Sequence, residues 1–241
     1  MKAIEIFSSW QGEGLQTGQL ITFVRFKFCA RPFANDLCPW CDTKFKMNNS
    51  INFNFEEKDL STLLKNTLYK ICFTGGEPTI YLNDIDKIYE YYKNQLNLLS
   101  IETNGYKLED FISWYTKKVN TNKTKVYISY SPKFFNEQEV IDNVTFLCQS
   151  KLVNKYKKDI SIKIPMSYEN QELVKQYLNV IKKLETENNV TPENSWFYNL
   201  YLMPIGANKS DISNNMSLIM NTSLEYNCNV SGRSHIDYAF L

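Results

Sequence analysis

The sequence predicts an α/β fold, an incomplete (βα) barrel of about six parallel strands, and two observations predict it. Strand-like runs alternate with amphipathic stretches along the chain, and each polar or glycine-rich motif stands just after a strand-like run. Such alternation argues for parallel βα units, and barrels and open α/β sheets gather their sites at the carboxyl ends of strands. No repeat, low-complexity tract or Pro/Ser-rich linker marks a boundary, so one domain is expected over residues 1–241.

The elements follow in order. LITFVRF (20–26), β-branched and aromatic, runs into FVRFKFCARPFANDLCPWCDT (23–43), which carries Cys29, Cys38 and Cys41. KICFT (70–74) leads into TGGEP (74–78). Residues 82–97 read as a helix, with Ile85, Ile88, Tyr89 and Tyr92 at helical spacing. LLSIET (98–103) ends in ETNG (102–105), and KVYISYS (125–131) in SPK (131–133). ISIKI (160–164), FYNLYLM (197–203) with PIG (204–206) behind it, and YNCNVS (226–231) complete the strands. Five motifs at five strand ends predict one shared pocket.

Composition narrows the class. The formal charge is +1, which gives no electrostatic case for coating nucleic acid or a membrane. No apolar run reaches the ~20 residues of a membrane span, and no basic-then-apolar leader opens the chain. Six cysteines then read as reduced thiols in a cytoplasm. Cys72, Cys148 and Cys228 lie in apolar segments and are expected to be packed. Lysine outnumbers arginine 24 to 3, the bias of an AT-rich coding sequence such as that of a bacteriophage or a low-GC bacterium. Where arginine is scarce, Arg25, Arg31 and Arg233 are informative by position. So are the eight glycines, of which only Gly18 lies outside Gly12/Gly14, Gly75/Gly76, Gly105, Gly206 and Gly232. Glycine permits positive φ and close backbone approach, so these clusters point to ligand-facing turns.

Three thiolates at the mouth of a strand, with no evident fourth ligand nearby, suggest a metal site left one ligand short; such a site keeps a position open for something that reacts. A zinc knuckle with a distant fourth ligand is the alternative on this stretch alone.

Taken together, IFSSWQGEG (6–14), FVRF before the cysteines, CPWCDT (38–43), FTGGEP (73–78), IETNG (101–105) and SPK resemble the 7-carboxy-7-deazaguanine synthase family of radical S-adenosylmethionine enzymes. The likeness runs from Glu5 to Pro204 and more weakly through VSGRSH. It implies the radical SAM fold and a 4Fe–4S cluster on Cys29, Cys38 and Cys41, whose fourth iron takes S-adenosylmethionine. It further implies conversion of 6-carboxy-5,6,7,8-tetrahydropterin to 7-carboxy-7-deazaguanine with loss of ammonia, assisted by Mg2+. One departure stands out. The superfamily spacing is C-x3-C-x2-C, whereas eight residues separate Cys29 from Cys38 here, which leaves open how Arg31 and Phe33 sit over the cluster.

Residue by residue, the resemblance implies that Trp10, Gln11, Gly12 and Glu13 contact the pterin, Glu13 at its amino-pyrimidine edge. Arg25 grips the substrate carboxylate, Thr74 touches substrate, and Arg233 with His235 forms an Arg-x-His pair on the substrate side. Arg25 and Glu13 are the catalytic candidates. Thr43 matches the Mg2+ ligand, with Asp42 adjacent; oxygen donors suit that hard cation. Trp40, Asp42, Gly75, Gly76, Glu102, Ser131, Pro132, Lys133 and Pro204 are expected at the cluster and S-adenosylmethionine, while Glu77 caps or orients its turn. A flavodoxin-like electron donor, a homodimer, a cytoplasmic location, and no direct nucleic-acid or membrane partner complete the expectation. Two rivals stay open on sequence: a glycyl-radical-enzyme activase, which shares the cluster and TGGEP but needs no pterin-reading QGEG, and a zinc-stabilised nucleic-acid-binding module, which predicts basic patches interleaved with aromatics.

Overall fold

Parallel strands buried on both faces read as continuous apolar runs, and the computed structural model has several. It describes residues 2–30, 38, 41, 51–52, 58–206 and 208–234, in two compact units.

The first unit is Met1–Gln11 with Gly18–Ser129. Its strands are β1 (Lys2–Trp10), β2 (Leu20–Phe26), β3 (Ile51–Asn52), β4 (Lys70–Gly75), β5 (Leu98–Thr103) and β6 (Lys125–Tyr130, the last residue belonging to the second unit), in the order β3-β1-β2-β4-β5-β6. β2, β4 and β5 run parallel, with Arg25 opposite Thr74 and Phe73 opposite Ile101. Helices α1 (Lys58–Asn66), α2 (Leu82–Tyr92) and α3 (Leu108–Lys118) fill the connections. α2 buries Ile85, Ile88, Tyr89 and Tyr92, the stripe that its spacing predicts, but stops at Tyr92. The backbone N–H groups of Gln95 and Leu96 both turn back to the Tyr92 carbonyl, and that of Asn97 crosses to Tyr69.

The second unit is Gly12–Thr17 with Tyr130–Leu241. It carries α4 (Glu137–Gln149), α5 (Lys151–Lys155), β7 (Ile160–Met166), α6 (Gln171–Glu187), β8 (Leu200–Pro204), α7 (Lys209–Tyr226) and β9 (Asn229–Val230). β7, β8 and β9 are parallel neighbours, and β7 is buried along its whole length. The α/β class holds, and six strands lie in these parallel pairs.

Three elements differ from the sequence reading. β1 is absent from the strand-like runs of the sequence and pairs antiparallel with β2, Ile6 opposite Val24 and Ser9 opposite Ile21. Its sequence, KAIEIFSSW, mixes polar and apolar residues without a clear period, and residues 5–8 are only partly buried. The first three residues of FYNLYLM join Trp196 in a 3-10 turn (Trp196–Asn199) capped by Ser195, and the strand starts at Leu200. YNCNVS shrinks to Asn229–Val230, because α7 continues to Tyr226 and ends on Asn227 in the left-handed conformation (φ 52°), a helix-stopping role that asparagine tolerates. Cys72 is buried in β4 as expected, while Cys148 and Cys228 are only half-buried.

Candidate functional site

In the first unit the expected residues converge on two carboxylates. Gln11, just beyond β1, donates from Nε2 to Glu102 Oε1 at 3.1 Å, and Thr74 donates its hydroxyl to Glu102 Oε2 at 2.6 Å. Gln11 and Thr74 are both buried. The fold thus brings together two residues expected at the substrate and one expected at S-adenosylmethionine. Arg25, opposite Thr74 on β2, donates from Nε to Glu5 Oε1 at 2.7 Å, and its guanidinium stands 5.8 Å from the centre of the Phe7 ring. Glu5 faces Arg25 across the antiparallel ladder; the sequence reading, lacking β1, could not find that partner. Trp10 is half exposed at the end of β1.

Glu77 is the second carboxylate. It caps a 3-10 turn (Pro78–Tyr81) by accepting the Thr79 N–H at 3.0 Å, which bears out its turn-orienting role. It also accepts the Thr103 hydroxyl at 2.7 Å and the Asn104 N–H at 2.8 Å, so it ties the end of β4 to the end of β5. The Thr79 hydroxyl lies 2.8 Å from Glu77 Oε1 and also against the Tyr106 carbonyl oxygen. Complete burial pushes the Glu77 carboxyl up to about 7 from its usual 4.5, against the opposing pull of its hydrogen bonds.

A folded-state pKa above the unfolded one means that the native protein binds the extra proton. Stability from this group is then full below about pH 4.5 and is lost as pH rises through about 7. The shift corresponds to about 3 kcal/mol. Urea unfolding of wild type and Glu77→Gln at pH 5 and pH 8 is expected to show a pH-dependent loss in wild type that the variant lacks. Parallel losses in both proteins would mean that Glu77 is ionised throughout.

The cysteine loop begins where β2 ends. The Phe26 carbonyl accepts the Gly76 N–H at 2.9 Å, the Phe28 carbonyl accepts the Glu77 N–H at 2.7 Å, and the Phe28 N–H donates to the Tyr81 hydroxyl at 3.2 Å. Cys29 is half-buried, and the Asn104 amide nitrogen stands 3.6 Å from its sulfur. The Cys41 N–H donates to the Cys38 carbonyl at 3.1 Å. Among the described residues no three His, Cys, Asp or Glu side chains gather around a position for a single metal ion. An iron–sulfur cluster asks for something else, soft thiolates bound to separate irons; three cysteines close in sequence, with the Asn104 amide N–H aimed at the sulfur of one, are the donors that suit it. Trp40, Asp42, Thr43 and His235, with Arg31 and Phe33, lie outside the described residues.

In the second unit, Glu13 is held by two cations, Lys163 Nζ at 2.6 Å from one oxygen and Arg233 Nε at 2.9 Å from the other. Arg233 also donates to the Gly206 carbonyl at 2.6 Å. The Gly12 carbonyl accepts the Ser234 N–H, and the Gly14 N–H donates to the Ser231 hydroxyl at 2.7 Å, so the QGEG turn is pinned to the segment after β9. Lys163 escaped sequence reasoning, although a lysine in the middle of ISIKI was a signal. Its side chain is only 8% exposed in a strand otherwise buried, where an unpaired charge is costly. Lys133 donates to the Ser131 hydroxyl at 2.7 Å, with Pro132 between them, and Pro204 ends β8 opposite Met166.

No family model matches the chain. It is similar to the 7-carboxy-7-deazaguanine synthase of Haemophilus influenzae, 35% identical over 156 residues, covering 61% of this chain and 66% of the relative. It is likewise similar to the enzyme of that name from Thermoplasma acidophilum, 31% identical over 58% of this chain and 68% of the relative. The chain spans 66%, 42% and 50% of the length of the first three relatives of that name, those of Haemophilus influenzae, Methanospirillum hungatei and Clostridium acetobutylicum. Among solved structures, QueE from Escherichia coli shares the fold, with a TM-score of 0.50, 19% identity, and coverage of 96% of this chain and 92% of that one.

Proposed function

We propose, for a chain that belongs to the 7-carboxy-7-deazaguanine synthase family, the ring contraction that the family name implies: 6-carboxy-5,6,7,8-tetrahydropterin to 7-carboxy-7-deazaguanine and ammonia. The observation that carries this reading is the convergence of Gln11 and Thr74 on Glu102, beside an arginine in register with Thr74. A glycyl-radical activase has no need of that pterin-side set.

In this reading Cys29, Cys38 and Cys41 hold a 4Fe–4S cluster, which when bound supplies the single electron that cleaves S-adenosylmethionine to a hydrogen-abstracting radical. The protein's part is positioning. Arg25 offers its planar guanidinium to the substrate carboxylate, a bidentate geometry that lysine cannot reproduce, and Glu5 fixes its orientation from Nε. Glu13 accepts hydrogen bonds from the amino-pyrimidine edge and is itself oriented by Lys163 and Arg233. Trp10 and Gly12 complete the pterin contacts, with His235 beyond them. Gly75 and Gly76 let the backbone approach S-adenosylmethionine, and Glu102, Ser131, Pro132, Lys133 and Pro204 contact it, with Trp40 and Asp42 at the cluster and Thr43 on Mg2+. The single-domain organisation of residues 1–241, a flavodoxin-like donor, a homodimer and a cytoplasmic location belong to the same proposal. No described helix is long and apolar enough to cross a membrane.

The test is anaerobic turnover with the pterin, S-adenosylmethionine, Mg2+ and dithionite. Many molecules of 7-carboxy-7-deazaguanine are expected per S-adenosylmethionine consumed. An intact pterin with accumulating 5′-deoxyadenosine would assign the radical to another substrate.

A further inference from the structure

Asn104 follows Glu102 and Thr103 at the end of β5, is 6% exposed, and bonds through its backbone N–H and both ends of its side-chain amide. Its backbone N–H donates to Glu77 Oε2 at 2.8 Å. Its side-chain oxygen accepts the Tyr106 N–H at 3.0 Å. Its side-chain nitrogen donates to the Ala30 carbonyl at 2.6 Å and stands 3.6 Å from the Cys29 sulfur. The amide orientation is fixed from both sides. A flipped amide would set its oxygen against the Ala30 carbonyl and its NH2 against the Tyr106 N–H, two like-against-like contacts in place of two hydrogen bonds. The face presented to Cys29 is therefore a donor.

A donor aimed at a cysteine sulfur has a consequence only if that sulfur carries charge. N–H groups directed at cluster sulfurs stabilise the more negative, reduced form, and hydrogen bonds to the sulfurs are among the factors that set an iron–sulfur potential. Asn104 is well built for such a task. It is buried, its orientation is over-determined, and Glu77 anchors it to the same turn whose backbone grips Phe26 and Phe28 just before Cys29. Nothing about a turn residue of the ETNG segment requires its side chain to reach across to Cys29 and Ala30.

We infer that Asn104 is a positioning residue for the cluster ligand Cys29: its amide holds the Cys29–Ala30 segment against the end of β5 and raises the reduction potential of the cluster through an N–H···S hydrogen bond. This rests on the radical S-adenosylmethionine reading of the three cysteines. It makes the acceptance of one electron from the external reductant easier than the bare thiolate set would.

The test uses full-length protein reconstituted anaerobically with iron and sulfide, reading the midpoint potential by spectroelectrochemical titration together with iron content and the thermal unfolding midpoint. Two variants are compared. Asn104→Ala removes the donor and the Tyr106 contact together, whereas Asn104→Asp keeps the shape and the acceptor for Tyr106 but turns an oxygen toward Cys29. Both are expected to keep their iron and become harder to reduce, with about tenfold less reduced cluster at a fixed solution potential, or about 59 mV for a one-electron couple. Asn104→Asp also sets an oxygen against the Ala30 carbonyl, so its unfolding midpoint is expected below that of wild type, and iron content together with the potential carries the comparison. An unchanged potential in iron-replete Asn104→Asp overturns the inference and leaves the reading of the cysteines standing. Iron loss from both variants with lowered unfolding midpoints would make Asn104 a structural residue and overturns it too. A wild-type protein that assembles no cluster sinks the reading itself and the inference with it.

Discussion

Replacing Cys41 with alanine is expected to remove most of the roughly four irons of the reconstituted protein and all reductive cleavage of S-adenosylmethionine. The expectation follows from the donor set. Three cysteine sulfurs hold three irons of such a cluster and leave the fourth for S-adenosylmethionine, so two are not expected to retain it. The remaining cysteines offer no rescue. Cys72 is wholly buried in β4 with its sulfur toward the Phe73 carbonyl. Burial pushes the Cys148 and Cys228 thiols up to about 11 and about 12, so giving up the proton that metal binding releases costs more there than at an ordinary thiol. Iron and sulfide analysis with visible absorbance checks the first part, and 5′-deoxyadenosine release under dithionite checks the second. A Cys41→Ala protein that keeps its iron and cleaves S-adenosylmethionine would remove Cys41 from the ligand set. Stoichiometric zinc without sulfide in an active wild type would return the zinc alternative.

What the sequence made legible was the chemistry at the strand ends. TGGEP, ETNG and the first cysteine stand at the ends of β4, β5 and β2, because a parallel strand buried on both faces needs an apolar run that stops abruptly at its polar end. The partners of those residues were not legible. Glu5 meets Arg25 only through β1, whose half-buried antiparallel pattern is weak in sequence. Lys163 and Arg233 reach Glu13 from 150 and 220 residues away, a closure that no local pattern encodes. Asn104 stands beside the glycine of ETNG and accepts the Tyr106 N–H as a turn residue would; its side-chain nitrogen facing Cys29 is visible only in three dimensions. YNCNVS failed for a different reason. β-Prone composition lost to a helix already running, which had a cap available at Asn227.

Gly76→Ala is expected to lower kcat/KM about 100-fold or more, the cost of moving a reacting group by about 1 Å. A Cβ at Gly76 would stand 2.1 Å from the Phe28 carbonyl oxygen and 2.9 Å from the Cys29 nitrogen. Neither neighbour is the free end of a flexible side chain. Both are backbone, and both lie in the segment that delivers Cys29. The methyl group can be admitted only by separating the turn from that segment, which breaks the Gly76 N–H to Phe26 and Glu77 N–H to Phe28 hydrogen bonds together. Gly75 adds a conformational reason of its own, a φ of +108° with a Cβ 2.4 Å from the Phe26 carbonyl. Gly18 separates the two effects. It has a φ of +85° but nothing within 4 Å of a Cβ, so Gly18→Ala should cost about 1–2 kcal/mol of stability and little turnover. Steady-state kinetics and urea unfolding of the two variants side by side make the comparison. If the loss at Gly76 appears in stability and not in turnover, close packing there serves the fold alone. If Gly76→Ala turns over like wild type, the cysteine segment tolerates displacement, and the tight contact between the two loops is not what positions the chemistry.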